Sequence, residues 1–315
     1  LVEDIKKAHR IYIVGAGTAG FAAGQIAYFL RNIAGIDAQD VKSYEFKSYL
    51  NILQREDMVI AVSQSGETAD TIEVLELAKK KRCKIASIVN MLGTTISRMS
   101  NHQYFTNAGP EICVASTKVF TSQCSWGYLV AKTIVNEYDQ AQEDIATLAK
   151  RLGTFLGEDT YKNIKKIVKK IKGSEHLFVL GKGTNANISL EGALKIKEIS
   201  YKHIEGFMAG ELKHGVIALI EKGTPVFGII SDDQDSKDMI SSMEQVKARG
   251  ALTIGIGDKK YNTDLFDFFI PTPQVNGLSG ISNVIAFQLV SYFLSLELGN
   301  NIDKPRNLAK SVTVK

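Results

Sequence analysis

The most constraining feature of this sequence is a unit of strand, glycine turn and helix that occurs twice. In the first half, Ile11 to Val14 is a short apolar run that leads into the turn GAGTAG and an apolar helical pattern from Phe21 to Ile33. In the second half, Leu177 to Leu180 leads into GKGT and a helix containing Leu190. Two further strand pairs recur at the same offset of about 166–168 residues, namely Val59 to Val62 with Val226 to Ile230, and Ile85 to Val89 with Leu252 to Ile256. Three repeated elements predict a tandem duplication.

The spacing of these elements predicts the fold class. Strands that alternate with helices of this length form a parallel sheet covered by helices on both faces. We therefore expect an α/β protein with two three-layer α/β/α domains, at residues 1–150 and 151–300. The helical stretch from Asp139 to Lys172 joins them, a last helix runs from Ile285 to Leu298, and residues 301–315 form a C-terminal tail.

Composition excludes several classes of function. The net charge of +4 comes from 38 basic and 34 acidic residues that are well mixed, which argues against nucleic-acid binding. The densest basic run, Lys79 to Lys84, follows a helical pattern and is typical of a solvated helix end. The three cysteines show no CxxC spacing, which predicts free thiols and a cytoplasmic protein. We recognise neither a signal peptide nor an apolar run of about 18 residues, so we expect no membrane span.

The hexapeptide SQSGET follows a predicted strand and precedes a predicted helix. Its hydroxyls, its amide and the N–H groups of a helix start could cradle a phosphate, and parallel sheets bind ligands at this end of their strands. The alternative is that Ser65 or Thr68 serves only as a helix N-cap. The turn GAGTAG fits the dinucleotide pattern G-x-G-x-x-G, but the acidic residue expected about 20 positions later is not clearly placed. We therefore do not favour a nicotinamide dehydrogenase.

A charged stripe on the helix near Leu190 is the first candidate for chemistry. Glu191, Lys195 and Glu198 share one face because residues three and four apart are neighbours on a helix. Apolar residues fill much of the rest of the circumference, so we expect an enclosed stripe that shifts the pKa values of acid and amine toward neutrality. The alternative is a solvated face with ordinary Glu–Lys pairs.

Three further positions are candidates. The loop Asn107 to Lys118 is polar and follows an apolar strand, as a ligand loop would, although Ser116 or Thr117 could simply cap a helix. Lys310 lies among apolar residues, where its amine could form a Schiff base or extend to water. A lone histidine such as His214 is more often structural than catalytic.

Five motifs together carry a resemblance to a known family. They are SQSGETADT, NAGPEICVASTKVFTSQ, LEGALKIKEISY, AGELKHG and DKPRNLAKSVTVK, and they extend from Ser63 to the last residue of the chain. The chain resembles tandem sugar isomerase (SIS) domains, and in detail the isomerase half of the glucosamine-6-phosphate synthases, which are glutamine–fructose-6-phosphate aminotransferases. SQSGET-like motifs occur in many SIS proteins, whereas ELKHG and the NLAKSVTV tail are more specific to the synthases.

The resemblance implies a role for each matching residue. Lys310 would form a Schiff base with fructose 6-phosphate, Glu198 would move a proton between the first two sugar carbons, and Lys195 would assist at the hydroxyls. His214 would open the sugar ring from the neighbouring subunit of a homodimer, and the tail would close the active site. The implied sugar-phosphate site consists of Thr18, Ser63, Gln64, Ser65, Thr68, Val114, Ser116 and Ala309. The resemblance implies neither a metal nor an organic cofactor.

The sequence departs from the family pattern in three ways. The glutaminase domain that supplies ammonia from glutamine is not part of this sequence, Val216 replaces the usual proline after ELKHG, and Ala19 stands where relatives can carry serine. The expected function is ketose–aldose isomerisation, giving glucosamine 6-phosphate when a glutaminase domain delivers ammonia, or glucose 6-phosphate when none is delivered. Two alternatives remain, a standalone glucosamine-6-phosphate deaminase and a non-catalytic sugar-phosphate sensor.

Overall fold

The computed structural model describes residues 1–313, so residues 314 and 315 of the predicted tail lie outside the described part. The chain forms two compact units. Unit 1 comprises Leu1–Gln142 together with the end of the tail from Ala309, and unit 2 comprises Glu143–Leu308. Each unit contains one five-stranded sheet. The predicted α/β class with two tandem parallel-sheet domains is confirmed.

Unit 1 alternates strands and helices along the chain. Its elements are α1 (Val2–Lys7), β1 (Ile11–Gly15), α2 (Gly17–Ala34), β2 (Ala38–Lys42), β3 (Met58–Ser63), α3 (Ala69–Lys80), β4 (Lys84–Val89), α4 (Thr95–Met99), β5 (His102–Phe105) and α5 (Lys118–Ile134). A 3₁₀ turn, Ser43–Tyr49, follows β2. Helix α6 (Tyr138–Phe155) runs through the boundary between the units in the sequence.

Unit 2 repeats the alternation. Its elements are α7 (Glu158–Ile171), β6 (His176–Gly181), α8 (Ala186–Ser200), β7 (His203–Met208), β8 (Pro225–Ile230), α9 (Ser236–Lys247), β9 (Leu252–Gly257), β10 (Phe268–Pro271) and α10 (Ser279–Glu297). Short 3₁₀ turns occupy Gly183–Asn185, Ala209–His214, Val216–Leu219 and Lys259–Tyr261.

The two sheets have the same topology. The strand order is β2-β1-β3-β4-β5 in unit 1 and β7-β6-β8-β9-β10 in unit 2, and every pairing is parallel. The order therefore reverses between β1 and β3, and at the equivalent place between β6 and β8. Open parallel sheets bind ligands at such a switch point, beyond the carboxyl ends of the strands. We therefore expect ligands to bind at the loops that follow β1 and β3 in unit 1, or β6 and β8 in unit 2.

Two predicted helices begin earlier than expected. Helix α2 starts at Gly17 rather than Phe21, and α10 starts at Ser279 rather than Ile285. Their first turns consist largely of glycine, alanine, serine and threonine, which are small and do not produce the apolar pattern by which a helix is recognised. The first turn of α2 places Thr18 at the switch point of unit 1.

Helix α10 is an apolar core helix. The sequence analysis expected no segment long and apolar enough to span a membrane, and α10 is such a segment. It is long and apolar enough to cross a membrane by length and composition. About two-thirds of it is nevertheless buried inside the protein. It packs on α8 and α7, and positions such as Ile281, Phe287 and Leu294 are almost inaccessible to solvent. A helix that is apolar on most sides is expected at the centre of a large unit.

Candidate functional site

A cluster of hydroxyl groups lies where β3 ends at the switch point of unit 1. Ser63 is the last residue of the strand, and its Oγ accepts the N–H of Gly66 at 3.0 Å and lies 3.1 Å from Oγ1 of Thr68. The Oγ of Ser65 accepts the N–H of Glu67 at 3.2 Å. The loop therefore folds back on itself and holds three hydroxyls within six residues.

Gly66 is required for this loop. Its φ of +68° is in the left-handed region, and a Cβ at this position would lie 2.2 Å from Oγ1 of Thr94. Neither Ser65 nor Thr68 caps α3 with its side chain, although Thr68 is the N-cap residue. The simple capping explanation for these hydroxyls is therefore wrong.

Glu111, a residue that the sequence analysis did not single out, organises the loop between β5 and α5. Its side chain is only 3% exposed. Its Oε1 accepts the N–H groups of Thr117 at 2.8 Å and Val119 at 3.2 Å, and its Oε2 accepts Ser116 Oγ at 2.9 Å and Lys310 Nζ at 3.0 Å. Thr117 does not cap α5 with its own side chain. The carboxylate thus performs the capping that the alternative interpretation of this loop gave to Ser116 or Thr117.

These contacts fix the ionisation state of Glu111. Burial alone would raise the pKa of this carboxyl, but the N–H of Thr117, the ammonium of Lys310 and the hydroxyl of Ser116 outweigh burial and hold the pKa below its ordinary value. Glu111 is therefore a carboxylate at neutral pH.

The end of the tail is fixed to unit 1 at two points. Lys310 is 28% exposed, and its Nζ donates to Glu111 and, at 2.8 Å, to the carbonyl oxygen of Cys113. The carbonyl of Val312 accepts the N–H of Ala69, the first residue of α3, at 3.3 Å. The amine of Lys310 is therefore held by protein oxygens instead of extending into solvent. Ala309 is exposed and Val114 is half-buried.

The charged stripe on α8 is enclosed, as predicted. Lys195 is 2% exposed and lies between Glu191 Oε1 at 3.3 Å and Glu198 Oε2 at 2.6 Å. Burial would lower the pKa of Lys195, but the two carboxylates outweigh burial and raise it. The expected shift of the lysine toward neutrality is wrong, because two anions surround one cation. Glu198 is the accessible member of the group, at 19% exposure.

The residue that ends α8 also anchors the beginning of the tail. Tyr201 has the left-handed φ of +60° that glycine usually supplies at a helix C-terminus. Its hydroxyl accepts the backbone N–H of Arg306 at 2.9 Å, and the guanidinium of Arg306 lies 4.3 Å from the ring centroid. The helix that carries Glu198 and Lys195 therefore ends on a contact with the tail.

The predicted site residues divide between the units. The sugar-phosphate residues and Lys310 are in unit 1, and Lys195, Glu198 and His214 are in unit 2. His214 is exposed on the 3₁₀ turn Ala209–His214. Among residues 1–313 no group of three or more His, Cys, Asp or Glu side chains could hold a metal ion.

Comparisons with known proteins agree with this architecture. The profile of the SIS domain matches residues 4–133 and 170–292. The C-terminal domain of glucosamine-fructose-6-phosphate aminotransferase from Francisella tularensis has a TM-score of 0.88 and 31% identity, and the match covers 96% of this chain and 88% of that one. A glucosamine-6-phosphate deaminase from Thermotoga maritima shares the fold, with a TM-score of 0.79 and 21% identity over 99% and 93% of the two chains.

Curated relatives match the chain along its whole length. Glutamine–fructose-6-phosphate aminotransferase from Pyrococcus horikoshii is 39% identical over an alignment of 318 positions that covers 100% of this chain and 53% of the relative. The enzyme of the same name from Fusobacterium nucleatum is 39% identical over 97% of this chain and 52% of its own length. The chain thus spans about half the length of the curated relatives it matches. The chain belongs to the SIS-domain family, and it is similar over its whole length to the C-terminal, isomerase part of the glutamine–fructose-6-phosphate aminotransferases.

Proposed function

We propose that this chain binds fructose 6-phosphate and isomerises it through a Schiff base on Lys310, as the sugar-phosphate isomerase half of a glutamine–fructose-6-phosphate aminotransferase. The observation that carries the proposal is the match to the solved C-terminal domain of such an enzyme over 88% of that domain's length. The resemblance implies roles for residues from Thr18 to Lys310, and all of them lie within the part of the chain that the structure describes.

The phosphate group would bind at the switch point of unit 1. The hydroxyls of Ser63, Ser65 and Thr68 stand at the N-terminal end of α3, where the helix dipole favours an anion. Thr18 lies in the first turn of α2, the helix that follows β1, and β1 pairs with β3. Gln64, Val114, Ser116 and Ala309 would complete the sugar-phosphate site.

The chemical steps need a nucleophile and a base. The amine of Lys310 would form an iminium at the keto carbon, which makes the protons on the adjacent C1 more acidic. Water or ammonia would add to the iminium carbon and release Lys310 as a free amine, which leaves the ketone or its imine at C2. The carboxylate of Glu198 would then take a proton from C1 and return it to C2, so that the ketone becomes glucose 6-phosphate and the imine becomes glucosamine 6-phosphate. Lys195 lies 2.6 Å from that carboxylate, which supports a role beside the sugar hydroxyls.

The remaining parts of the proposal concern partners. A glutaminase domain would supply ammonia from glutamine, so that the product is glucosamine 6-phosphate. The chain would act in the cytoplasm as a homodimer, and His214 would open the sugar ring in the neighbouring subunit. The exposure of His214 supports that role, because a side chain that serves a second subunit must be accessible in the first.

Product analysis tests the proposal. The chain is incubated with fructose 6-phosphate, with and without ammonium, and glucose 6-phosphate is separated from glucosamine 6-phosphate. We expect glucose 6-phosphate in both samples, no turnover for Lys310→Arg, and normal turnover for Lys304→Arg, which changes an exposed lysine of the same tail. No turnover by a folded dimer would refute the proposal. Abundant glucosamine 6-phosphate from free ammonium would instead indicate a reversible deaminase, and binding without turnover would indicate a sensor.

A further inference from the structure

Glu111 has two carboxylate oxygens with different partners. Oε1 accepts two backbone N–H groups at the start of α5, those of Thr117 and Val119. Oε2 accepts Lys310 Nζ at 3.0 Å and the hydroxyl of Ser116. Capping of the helix therefore occupies only one oxygen, and the other contacts the amine that the proposed function uses as its nucleophile.

A lysine can attack a carbonyl carbon only as a neutral amine. In this chain the side-chain nitrogen of Lys310 donates to a carboxylate and to the carbonyl oxygen of Cys113, and a lysine side chain is ordinarily protonated at neutral pH. Something must therefore take a proton from Lys310 before it reacts. The acceptor has to lie within hydrogen-bond reach of Nζ, about 2.6–3.2 Å. Oε2 of Glu111 meets this condition, whereas the carbonyl oxygen of Cys113 is not a base.

We propose that Glu111 is a catalytic group that binds the side-chain nitrogen of Lys310 before sugar binds and then serves as its proton acceptor and donor during Schiff-base formation. This inference rests on the proposed function, since it concerns the activation of the same lysine. It adds to that function a residue whose only expected role from the sequence was to lie in a ligand loop.

The step balances without any further reactant. Lys310 gives one proton to Oε2 of Glu111, and the resulting amine uses its lone pair to form a bond to the keto carbon while the carbonyl π pair moves to oxygen. A second proton passes from nitrogen to that oxygen, which gives a neutral carbinolamine. Glu111 returns its proton to the carbinolamine hydroxyl, which leaves as water with its bonding pair. The nitrogen lone pair then forms the iminium, and Glu111 is again a carboxylate.

Borohydride trapping measures this step directly. The chain is mixed with fructose 6-phosphate and sodium borohydride, which reduces the iminium to a stable amine, and mass spectrometry follows the sugar-phosphate adduct on Lys310. Three variants are compared with the unmodified chain. Glu111→Gln removes the basic oxygen and keeps the size, Glu111→Asp keeps a carboxylate of shorter reach, and Asp267→Asn is the matched control.

Asp267 is a suitable control because its contacts resemble those of Glu111. It accepts the N–H and the hydroxyl of Thr253 at 2.8 and 3.0 Å and Lys247 Nζ at 3.3 Å, but it lies in unit 2 just before β10. The change to asparagine therefore removes a carboxylate of the same kind without touching Lys310. Circular dichroism and thermal unfolding establish that each variant is folded.

We expect adduct formation on the order of 100-fold slower in Glu111→Gln, an intermediate rate in Glu111→Asp, and an unchanged rate in Asp267→Asn. Equal rates for Glu111→Gln and the unmodified chain would overturn the inference while leaving the proposed function intact. If the rate of adduct formation falls equally in Glu111→Gln and Glu111→Asp, the role of Glu111 is only structural, and the inference is also overturned. If the unmodified chain forms no adduct on Lys310, the proposed Schiff base fails, and the role of Glu111 fails with it.

Discussion

At the scale of single residues, the enclosed stripe on α8 shows how strongly a charge depends on its neighbours. Lys195 is almost fully buried, and the carboxylates of Glu191 and Glu198 that flank it stabilise its charge. Removal of one partner from a buried ionic group leaves an uncompensated charge, at a cost of about 3–5 kcal/mol. We therefore expect Lys195→Met to lower the free energy of unfolding by about that amount. Urea denaturation of the unmodified chain and of Lys195→Met measures this difference in the free energy of unfolding.

The same helix offers the control for that substitution. Lys197 is exposed, so Lys197→Met should change the free energy of unfolding by less than about 0.5 kcal/mol. Similar losses for the two variants would mean that helix propensity or side-chain packing, and not the buried charge, determines the cost.

A second residue-scale prediction concerns Glu111 and pH. Burial opposes ionisation, but Thr117, Lys310 and Ser116 hold the folded-state pKa below the ordinary value of 4.5. A depressed carboxyl pKa adds stability above the unfolded-state pKa, and this stability is lost as the pH falls through the folded-state pKa. The difference in unfolding free energy between the unmodified chain and Glu111→Gln should therefore be largest near neutral pH and shrink below about pH 4.5. A constant difference between pH 3 and pH 7 would contradict this account.

Glu111 also shows what sequence patterns leave out at this scale. The hydroxyls of SQSGET were recognisable because strand, glycine and helix signals surround them within a few positions. The partner of Glu111, in contrast, is 199 residues away in the chain, so only the fold brings the two together. An isolated acid in a polar loop gives no local signal of that contact.

At the scale of elements, the central strands were predictable and most of the edges were not. β1, β3 and β4 in unit 1, and β6, β8 and β9 in unit 2, are covered on both faces and read as continuous apolar runs. β2, β7 and β10 were not predicted, and all three lie at sheet edges. β2 has the sequence AQDVK and only two buried residues, because an edge strand borders solvent.

The packing of α8 on α10 gives a prediction that belongs to elements. Gly192 of α8 faces Phe287 of α10 so closely that a Cβ would lie 2.6 Å from the ring. Gly192→Ala should force the helices apart and lower the free energy of unfolding by about 1–3 kcal/mol. Gly153 is also inside a helix, α6, but a Cβ there meets nothing within 4 Å. Gly153→Ala should therefore raise the free energy of unfolding by about 0.4–1 kcal/mol.

Thermal and urea unfolding of the two alanine variants measure this contrast. Opposite signs are expected, since helix propensity favours alanine at both positions and only Gly192 has a close neighbour. Stabilisation by both substitutions would mean that Phe287 moves aside without cost.

At the scale of the whole molecule, the duplication has produced two switch points with different chemistry. In unit 1 the loop after β3 presents hydroxyls at the start of α3. In unit 2 the loop after β8 carries the carboxylates of Asp232, Asp233 and Asp235. Its serine, Ser231, is buried and tied to Asn185 and Asn283. Acidic groups repel a phosphate, so the loop after β8 is electrostatically unsuited to bind one.

The two switch points therefore predict the stoichiometry of sugar-phosphate binding. Calorimetric titration with glucitol 6-phosphate, which has no carbonyl group and cannot react, should give one site per chain. A hydrogen bond to a charged group contributes about 1.5–3 kcal/mol, so Ser63→Ala should weaken binding roughly 10- to 100-fold. Ser231→Ala, the equivalent change after β8, should leave the affinity unchanged even if it destabilises unit 2. Two sites per chain, or equal losses of affinity in the two variants, would show that the second switch point also binds sugar phosphate.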